Sequence, residues 1–81
     1  MKPGLLYETQ SVVEVFKTNI SDINSANGIK ELLQSTFSNC HINFDLEDCD
    51  NILRFEGNPC YIEGVISTVS NLGHQIEVLE G

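Results

Sequence analysis

Four short stretches of the chain have the two-residue hydrophobic period or the residue composition of a β-strand. The clearest alternation places Ile42, Phe44 and Leu46 on one face and polar side chains on the other. The first stretch is rich in β-branched and aromatic residues. Because both of its faces carry apolar side chains, the pattern does not decide which face is buried. The predicted strands cover residues 11–18, 41–46, 52–56 and 74–79.

Between the first two strands, apolar residues recur every three to four positions and predict an α-helix with one buried stripe. Gly28 lies inside this pattern and weakens the helix by about 1 kcal/mol relative to alanine. Because glycine has no side chain, it would also permit a strand to approach closely. Residues 38–39 end the helix. The polar residues that can cap its start are Ser21, Asp22, Asn24 and Ser25. The stripe consists of Ala26, Ile29, Leu33 and Phe37, widened by Leu32.

A second helix is predicted after the third strand. Asn58 is a favourable N-cap, and Pro59 suits the first helical position, where its missing N–H is not needed. Gly73 is well placed to end the helix, since glycine readily adopts the left-handed conformation found there. The apolar stripe consists of Ile62, Val65, Ile66, Val69 and Leu72.

The predicted order of elements is strand, helix, strand, strand, helix, strand. The loop over residues 47–51 is short enough to join the two middle strands as an antiparallel hairpin. A four-stranded antiparallel sheet with both helices on one face buries every apolar stripe, which predicts an α+β fold of the ferredoxin-like βαββαβ class. Residues 11–81 form this single domain. Residues 1–10 have no sustained period and contain Pro3 and Gly4, so a flexible lead-in is predicted there.

The acidic charge balance argues against two classes of partner. The 81 residues include 4 Lys+Arg and 12 Asp+Glu, for a formal net charge of −8. Nucleic-acid backbones and anionic membrane surfaces repel such a protein, so neither is expected as a partner. The N-terminus lacks the apolar segment of a signal peptide, and no apolar run approaches the roughly 20 residues of a membrane span. A cytoplasmic location is therefore expected.

Three cysteines, Cys40, Cys49 and Cys60, are spaced nine and eleven residues apart. Their odd number argues against a disulfide framework, and their spacing matches no common zinc site. Free thiols in a reducing compartment are therefore expected.

The length, the order of elements, the stripe of the first helix and the glycine before the last strand resemble the heavy-metal-associated (HMA) domain family of copper and zinc chaperones and metal-pump modules. The resemblance covers about residues 11–80 and implies the ferredoxin-like fold. Family members carry Met-x-Cys-x-x-Cys after the first strand, where two thiolates bind a soft metal. Aligned through Ile29 and Leu33, this chain has Ile20 for the methionine, and Asp22 and Ser25 for the cysteines. A carboxylate and a hydroxyl cannot replace two thiolates for Cu(I). Both residues are better explained as helix caps, so no metal is expected there.

Two other groups of residues are alternatives for a metal site. Cys49 and Cys60 could share a metal if the hairpin turn folds back toward the second helix. The acidic segment 45–50 holds four carboxylates, including Asp48 and Asp50, but it lacks the central glycine and the closing glutamate of an EF-hand. A solvated acidic turn is the simpler interpretation of that segment.

No set of residues predicts catalysis, because the chain has neither a nucleophile elbow nor a phosphate-binding loop, and the fold brings no Cys–His pair together.

The outer face of the sheet is the remaining candidate site. Apolar residues among polar ones on an open sheet can mark a docking surface, although an ordinary solvated face is the simpler alternative. The prediction is a non-enzymatic protein-interaction or regulatory module without a cofactor, which binds an unknown protein or self-associates through the sheet. A divergent metal-binding or metal-transfer protein is the alternative. The candidate interaction residues are His41, Asn43, Asp45, Gln75 and Glu77, accompanied by an exposed Phe16 and Leu79.

Overall fold

A computed structural model describes residues 11–47 and 51–79 of the chain. The strands are β1 (Val12–Thr18), β2 (His41–Asp45), β3 (Ile52–Gly57) and β4 (Ile76–Val78). The helices are α1 (Ile23–Thr36) and α2 (Ile62–Asn71), and a 3-10 turn (Pro59–Tyr61) precedes α2. The predicted lead-in over residues 1–10 lies outside the described residues.

The four strands form one antiparallel sheet in the spatial order β2-β3-β1-β4. Both helices contribute side chains to a single core against one face of this sheet. The chain therefore has the predicted ferredoxin-like α+β fold. The predicted strands of the hairpin match β2 and β3 to within one residue. Strand β4 has only three residues, fewer than the predicted stretch 74–79.

The side of β1 that faces the helices is the one that carries Phe16. This ring is fully buried and Thr18 is nearly so, whereas Lys17 is exposed and Val13 is 47% exposed. The expectation of an exposed Phe16 on the outer face is therefore wrong. A phenyl ring buries more apolar area than any other side chain of this strand. The opposite face of the strand carries Lys17, whose ammonium group stays in contact with water, so this face is the one turned to solvent.

The core is one cluster to which both helices and three of the strands contribute buried side chains. Strand β4 adds the partly buried Ile76 at the border of this cluster. The Ile20 side chain, in the connection between β1 and α1, is also buried. The buried core residues are Phe16, Ile20, Ala26, Ile29, Leu33, Ile42, Leu53, Phe55, Val65 and Val69.

Helix α1 buries a narrower stripe than predicted, because it packs against only one surface. Ala26, Ile29 and Leu33 are buried, but Leu32, which was expected to widen the stripe, is 40% exposed. The helix ends at Thr36, two residues before the predicted end. A side chain added at Gly28 would meet no atom within 4 Å. No described strand therefore uses the space that this glycine leaves.

Helix α2 begins as predicted with an Asn-Pro pair. The side-chain oxygen of Asn58 accepts a hydrogen bond of 2.9 Å from the Cys60 backbone N–H, and Pro59 occupies the first turn. This first turn is 3-10, and the α-helix itself starts at Ile62. With 10 residues in α2 and 14 in α1, neither described helix is long enough to cross a bilayer, which takes about 20 residues.

Gly73 ends α2 with the left-handed backbone expected of it, at a φ of 95°. Its N–H donates to the Ser70 carbonyl at 3.0 Å, and the His74 N–H donates to the Val69 carbonyl at 3.4 Å. These two bonds form a Schellman motif, which satisfies carbonyl groups at the helix end. Leu72, expected in the buried stripe, follows the last residue of α2 and is 49% exposed.

The two glycines at these positions should respond oppositely to alanine. Gly73→Ala forces a side chain into the left-handed region and should lower the free energy of unfolding by about 1–2 kcal/mol. The methyl group added by Gly28→Ala meets no other atom within 4 Å, and alanine favours the helix more than glycine does. This substitution should therefore raise the free energy of unfolding by about 0.5–1 kcal/mol. Urea denaturation followed by circular dichroism measures both changes. Equal effects of the two substitutions would contradict the assigned helix end.

The Thr18 hydroxyl group joins the end of β1 to two neighbouring backbone groups. It donates to the Asn51 carbonyl at 2.6 Å and accepts from the Ile20 N–H at 3.1 Å. The Thr18 backbone N–H donates to the same Asn51 carbonyl at 3.2 Å. Since Thr18 is only 7% exposed, these bonds replace water at the point where the chain leaves the sheet for α1.

Candidate functional site

The surface of the sheet opposite the helices is the candidate site, and we call it the outer face. Its positions follow from the register, because residues directly opposite one another in neighbouring strands share a side of the sheet. Val15 lies opposite Arg54, which in turn lies opposite Asn43. The outer face comprises Val13, Val15 and Lys17 of β1; His41, Asn43 and Asp45 of β2; Ile52, Arg54 and Glu56 of β3; and Glu77 with the adjoining Leu79 at β4.

The centre of the outer face is apolar. Val13 is 47% exposed and Leu79 is 37% exposed, and the half-buried Val15 and Ile52 lie near them. The Leu79 N–H donates to the Val15 carbonyl at 2.9 Å, which holds Leu79 beside β1. Of the residues expected on this face, Leu79 is confirmed as exposed. The two-residue period places Val13 and Val15 on one side of β1, but only the burial of Phe16 assigns that side to the outer face.

The five predicted interaction residues are all exposed, but they do not form one cluster. His41, Asn43 and Asp45 lie along β2, at one edge of the sheet. Glu77 lies on β4 at the other edge, about 14 Å away across three strand spacings, and Gln75 precedes it. They therefore form two opposite parts of a rim around the apolar centre. Their role in binding stays a prediction.

Arg54 and Glu56 add charges between these two edges. Arg54 lies directly opposite Asn43, whereas Asp45 lies opposite Ile52. Glu56 lies opposite His41. With Lys17, the outer face carries two cationic and three anionic side chains, of which Arg54 lies directly opposite Val15 of the apolar centre.

Asp22 caps helix α1, as predicted. Its carboxylate accepts a hydrogen bond of 2.9 Å from the Ser25 backbone N–H, and its backbone is extended, as in a typical N-cap. Ser25 itself lies within the first turn of the helix rather than at the cap. Asp22 and Ser25 are thus joined by a structural hydrogen bond at the start of the helix.

Replacing Asp22 by alanine should destabilise the domain moderately. The Ser25 N–H loses its side-chain acceptor, and the usual cost of losing an N-cap is about 0.5–2 kcal/mol. Asp22→Asn keeps a capping oxygen and should retain most of the stability. Thermal unfolding of the two variants distinguishes them, and equal losses in both would contradict the role of Asp22 as a cap.

The structure describes two of the three cysteines, and both are free thiols. Cys40 is half-buried before β2, where its Sγ donates to the Phe37 carbonyl at 3.1 Å. Burial raises the pKa of the Cys40 thiol, which disfavours the thiolate that a soft metal requires. Cys60 is exposed in the 3-10 turn.

The alternative metal ligands are described only in part. Cys49, Asp48 and Asp50 lie outside the described residues, so the proposed pairing of Cys49 with Cys60 stays a prediction. Within residues 11–47 and 51–79, no three His, Cys, Asp or Glu side chains come close enough to hold a metal ion.

A cleft of about 450 Å³ opens beside β4, at the end of α2. Lys17, Ser70, His74 and Glu77 bring an ammonium group, a hydroxyl, an imidazole and a carboxylate to its wall. The Asn19 side-chain oxygen accepts from the Gln75 N–H at 2.9 Å. This bond joins Gln75, in the lining of the cleft, to the residue that follows β1. Because Lys17 and Glu77 lie directly opposite each other in register, their charges offset one another there.

Comparisons with known proteins found no match. No protein-family model, no curated protein and no solved structure matches the chain. The fold and the surface of this chain are therefore the basis for its proposed function.

Proposed function

We propose that this domain is a non-enzymatic binding module whose outer face receives a partner protein with a basic surface. The apolar centre formed by Val13, Val15, Ile52 and Leu79 is the observation that supports this most directly. Docking surfaces combine such a centre with a polar rim. Both described helices pack against the opposite side of the sheet, so no described helix covers the outer face.

The charge of the chain favours a basic partner. With a formal net charge of −8, the protein attracts cationic surfaces over distances of about a Debye length, which speeds their association. Asp45, Glu56 and Glu77 lie on the outer face and supply carboxylates for pairing at short range. An acidic partner would meet repulsion from the same groups.

The resemblance to HMA domains supports a protein partner over a metal cargo. The two positions that hold thiolates in that family are Asp22 and Ser25 here, and a hydrogen bond of 2.9 Å engages them in the start of α1. Because that loop has become part of a helix cap, the sheet is the more suitable surface for recognition.

Selection of a random peptide library on the immobilised protein tests this function and does not require the partner to be identified beforehand. The enriched peptides should combine lysine or arginine with apolar residues. The double variant Val13→Asp/Leu79→Asp places charges in the apolar centre and should bind these peptides about tenfold or more weakly. Fluorescence anisotropy with a labelled peptide measures the difference.

The double variant Ile23→Asp/Leu72→Asp is the matched control. It makes the same change of charge at two exposed apolar residues of the helical layer, and it should bind like the unmodified protein. Equal losses in both double variants, or enriched peptides without an excess of basic residues, would overturn the proposed function.

A further inference from the structure

Among the described strands β2 lies at an edge of the sheet, and one of its outward backbone groups is already occupied. The Ile42 N–H donates to the side-chain oxygen of Gln34, on α1, at 3.0 Å. The backbone N–H and C=O groups of successive residues in an antiparallel strand point alternately to its two sides. Those of Ile42 and Phe44 therefore point to the open edge, while those of the residues between and beside them bond to β3. An open edge of this kind is a template for another strand.

The side chains of β2 are complementary to those of a second, antiparallel copy of the same strand. If a twofold axis passes beside Asn43, Ile42 lies opposite Phe44 of the second copy, and both bring outward backbone groups to the interface. In that register His41 lies opposite Asp45 of the second copy, on the outer face. An imidazole in either protonation state can donate an N–H to a carboxylate. The pairing repeats on both sides of the axis.

We propose that β2 pairs with β2 of a second copy of this chain, and that Gln34 competes with this pairing. The Ile42 N–H has to leave Gln34, and four backbone hydrogen bonds can then form between the two edges. The inference is independent of the proposed function, since it concerns the edge of the sheet and not its apolar centre. The charge of −8 on each copy opposes the pairing, so salt should favour it.

Sedimentation equilibrium tests the self-association, at protein concentrations up to about 1 mM. About 0.5 M NaCl reduces the Debye length to roughly 4 Å and screens the repulsion between copies. Under these conditions we expect a monomer–dimer equilibrium. Gln34→Ala frees the Ile42 N–H and should strengthen association about fivefold or more. Ser35→Ala is the control: the Ser35 hydroxyl donates to the Leu32 carbonyl of its own helix, so association should not change.

A pair of charge reversals tests the register. Asp45→Lys and Glu77→Lys change the net charge equally, but Asp45 lies on β2 and Glu77 lies on the opposite edge strand. Asp45→Lys should associate about tenfold more weakly than Glu77→Lys, because it removes the carboxylate that accepts from His41 of the second copy on both sides of the axis. Circular dichroism checks that both variants fold. The proposal would be overturned if the unmodified protein and the Gln34→Ala variant were both entirely monomeric. It would also be overturned if the Asp45→Lys and Glu77→Lys variants associated equally.

Discussion

Replacing Phe16 by alanine should lower the free energy of unfolding by about 3–5 kcal/mol, a change at the upper end of what a single substitution in this domain can cause. The ring is fully buried at the centre of the sheet, between β3 and β4, and its loss leaves a cavity that the surrounding core cannot fill. Since small domains have only about 5–15 kcal/mol of stability in total, this loss should be a large fraction of the whole. Urea denaturation followed by circular dichroism measures the change.

Val13→Ala is the control from the other side of the same strand. Val13 is largely solvent-exposed, so this substitution should cost less than about 1 kcal/mol. A loss at Val13 as large as that at Phe16 would mean that β1 is turned over. The apolar centre of the outer face would then be part of the core instead.

Replacing Thr18 by valine should cost about 1–3 kcal/mol, although the side chain keeps nearly the same volume. The hydroxyl is the acceptor of the buried Ile20 N–H, and valine leaves that donor unsatisfied. The Asn51 carbonyl keeps its bond from the Thr18 backbone N–H, so the cost should come mainly from Ile20. Thermal unfolding measures the difference.

Thr36→Val makes the same chemical change at the exposed end of α1 and should alter stability by less than about 0.5 kcal/mol. Hydrogen exchange of the Ile20 amide gives a second, local readout, because exchange there should accelerate only in the Thr18 variant. Unchanged stability and unchanged exchange in Thr18→Val would show that the hydroxyl does not hold the end of β1.

Much of the fold is predictable because the local sequence favours the same conformation that the tertiary structure requires. Alternation in residues 41–46 and 52–56, the Asn58–Pro59 start and the Gly73 end each indicate one conformation, and the structure confirms them. The orientation of β1 was not predictable in this way, because both of its faces carry apolar residues. Burial of Phe16 depends on the helices that cover it, which are distant in sequence.

The exposed ends of the two helical stripes have a similar cause. Leu32 and Leu72 fit a helical period, but periodicity does not tell how wide a surface the sheet offers to each helix. Two layers of this size cover only a narrow stripe, so residues at its margins stay in contact with water. Sequence patterns predict the centre of a stripe better than its width.

The candidate site was predictable only as a side of the sheet. Alternation along β2 placed His41, Asn43 and Asp45 on the polar side, where the structure has them. Whether Val13 and Val15 belong to the outer face could not be predicted, because it depends on which side of β1 faces the helices. The bond from Ile42 to Gln34 joins residues on different elements and leaves no pattern in the sequence.

The most direct test of the central claim is amide chemical-shift mapping with a basic peptide enriched from the library. If the outer face is the binding surface, saturable shifts should be confined to β1 and β3 and to the adjoining parts of β2 and β4, with the largest at Val13, Val15 and Arg54. The amides of α1 and α2 should move little, because these helices lie on the other side of the sheet. Shifts centred on the helices or on the turn around Cys60 would contradict the claim.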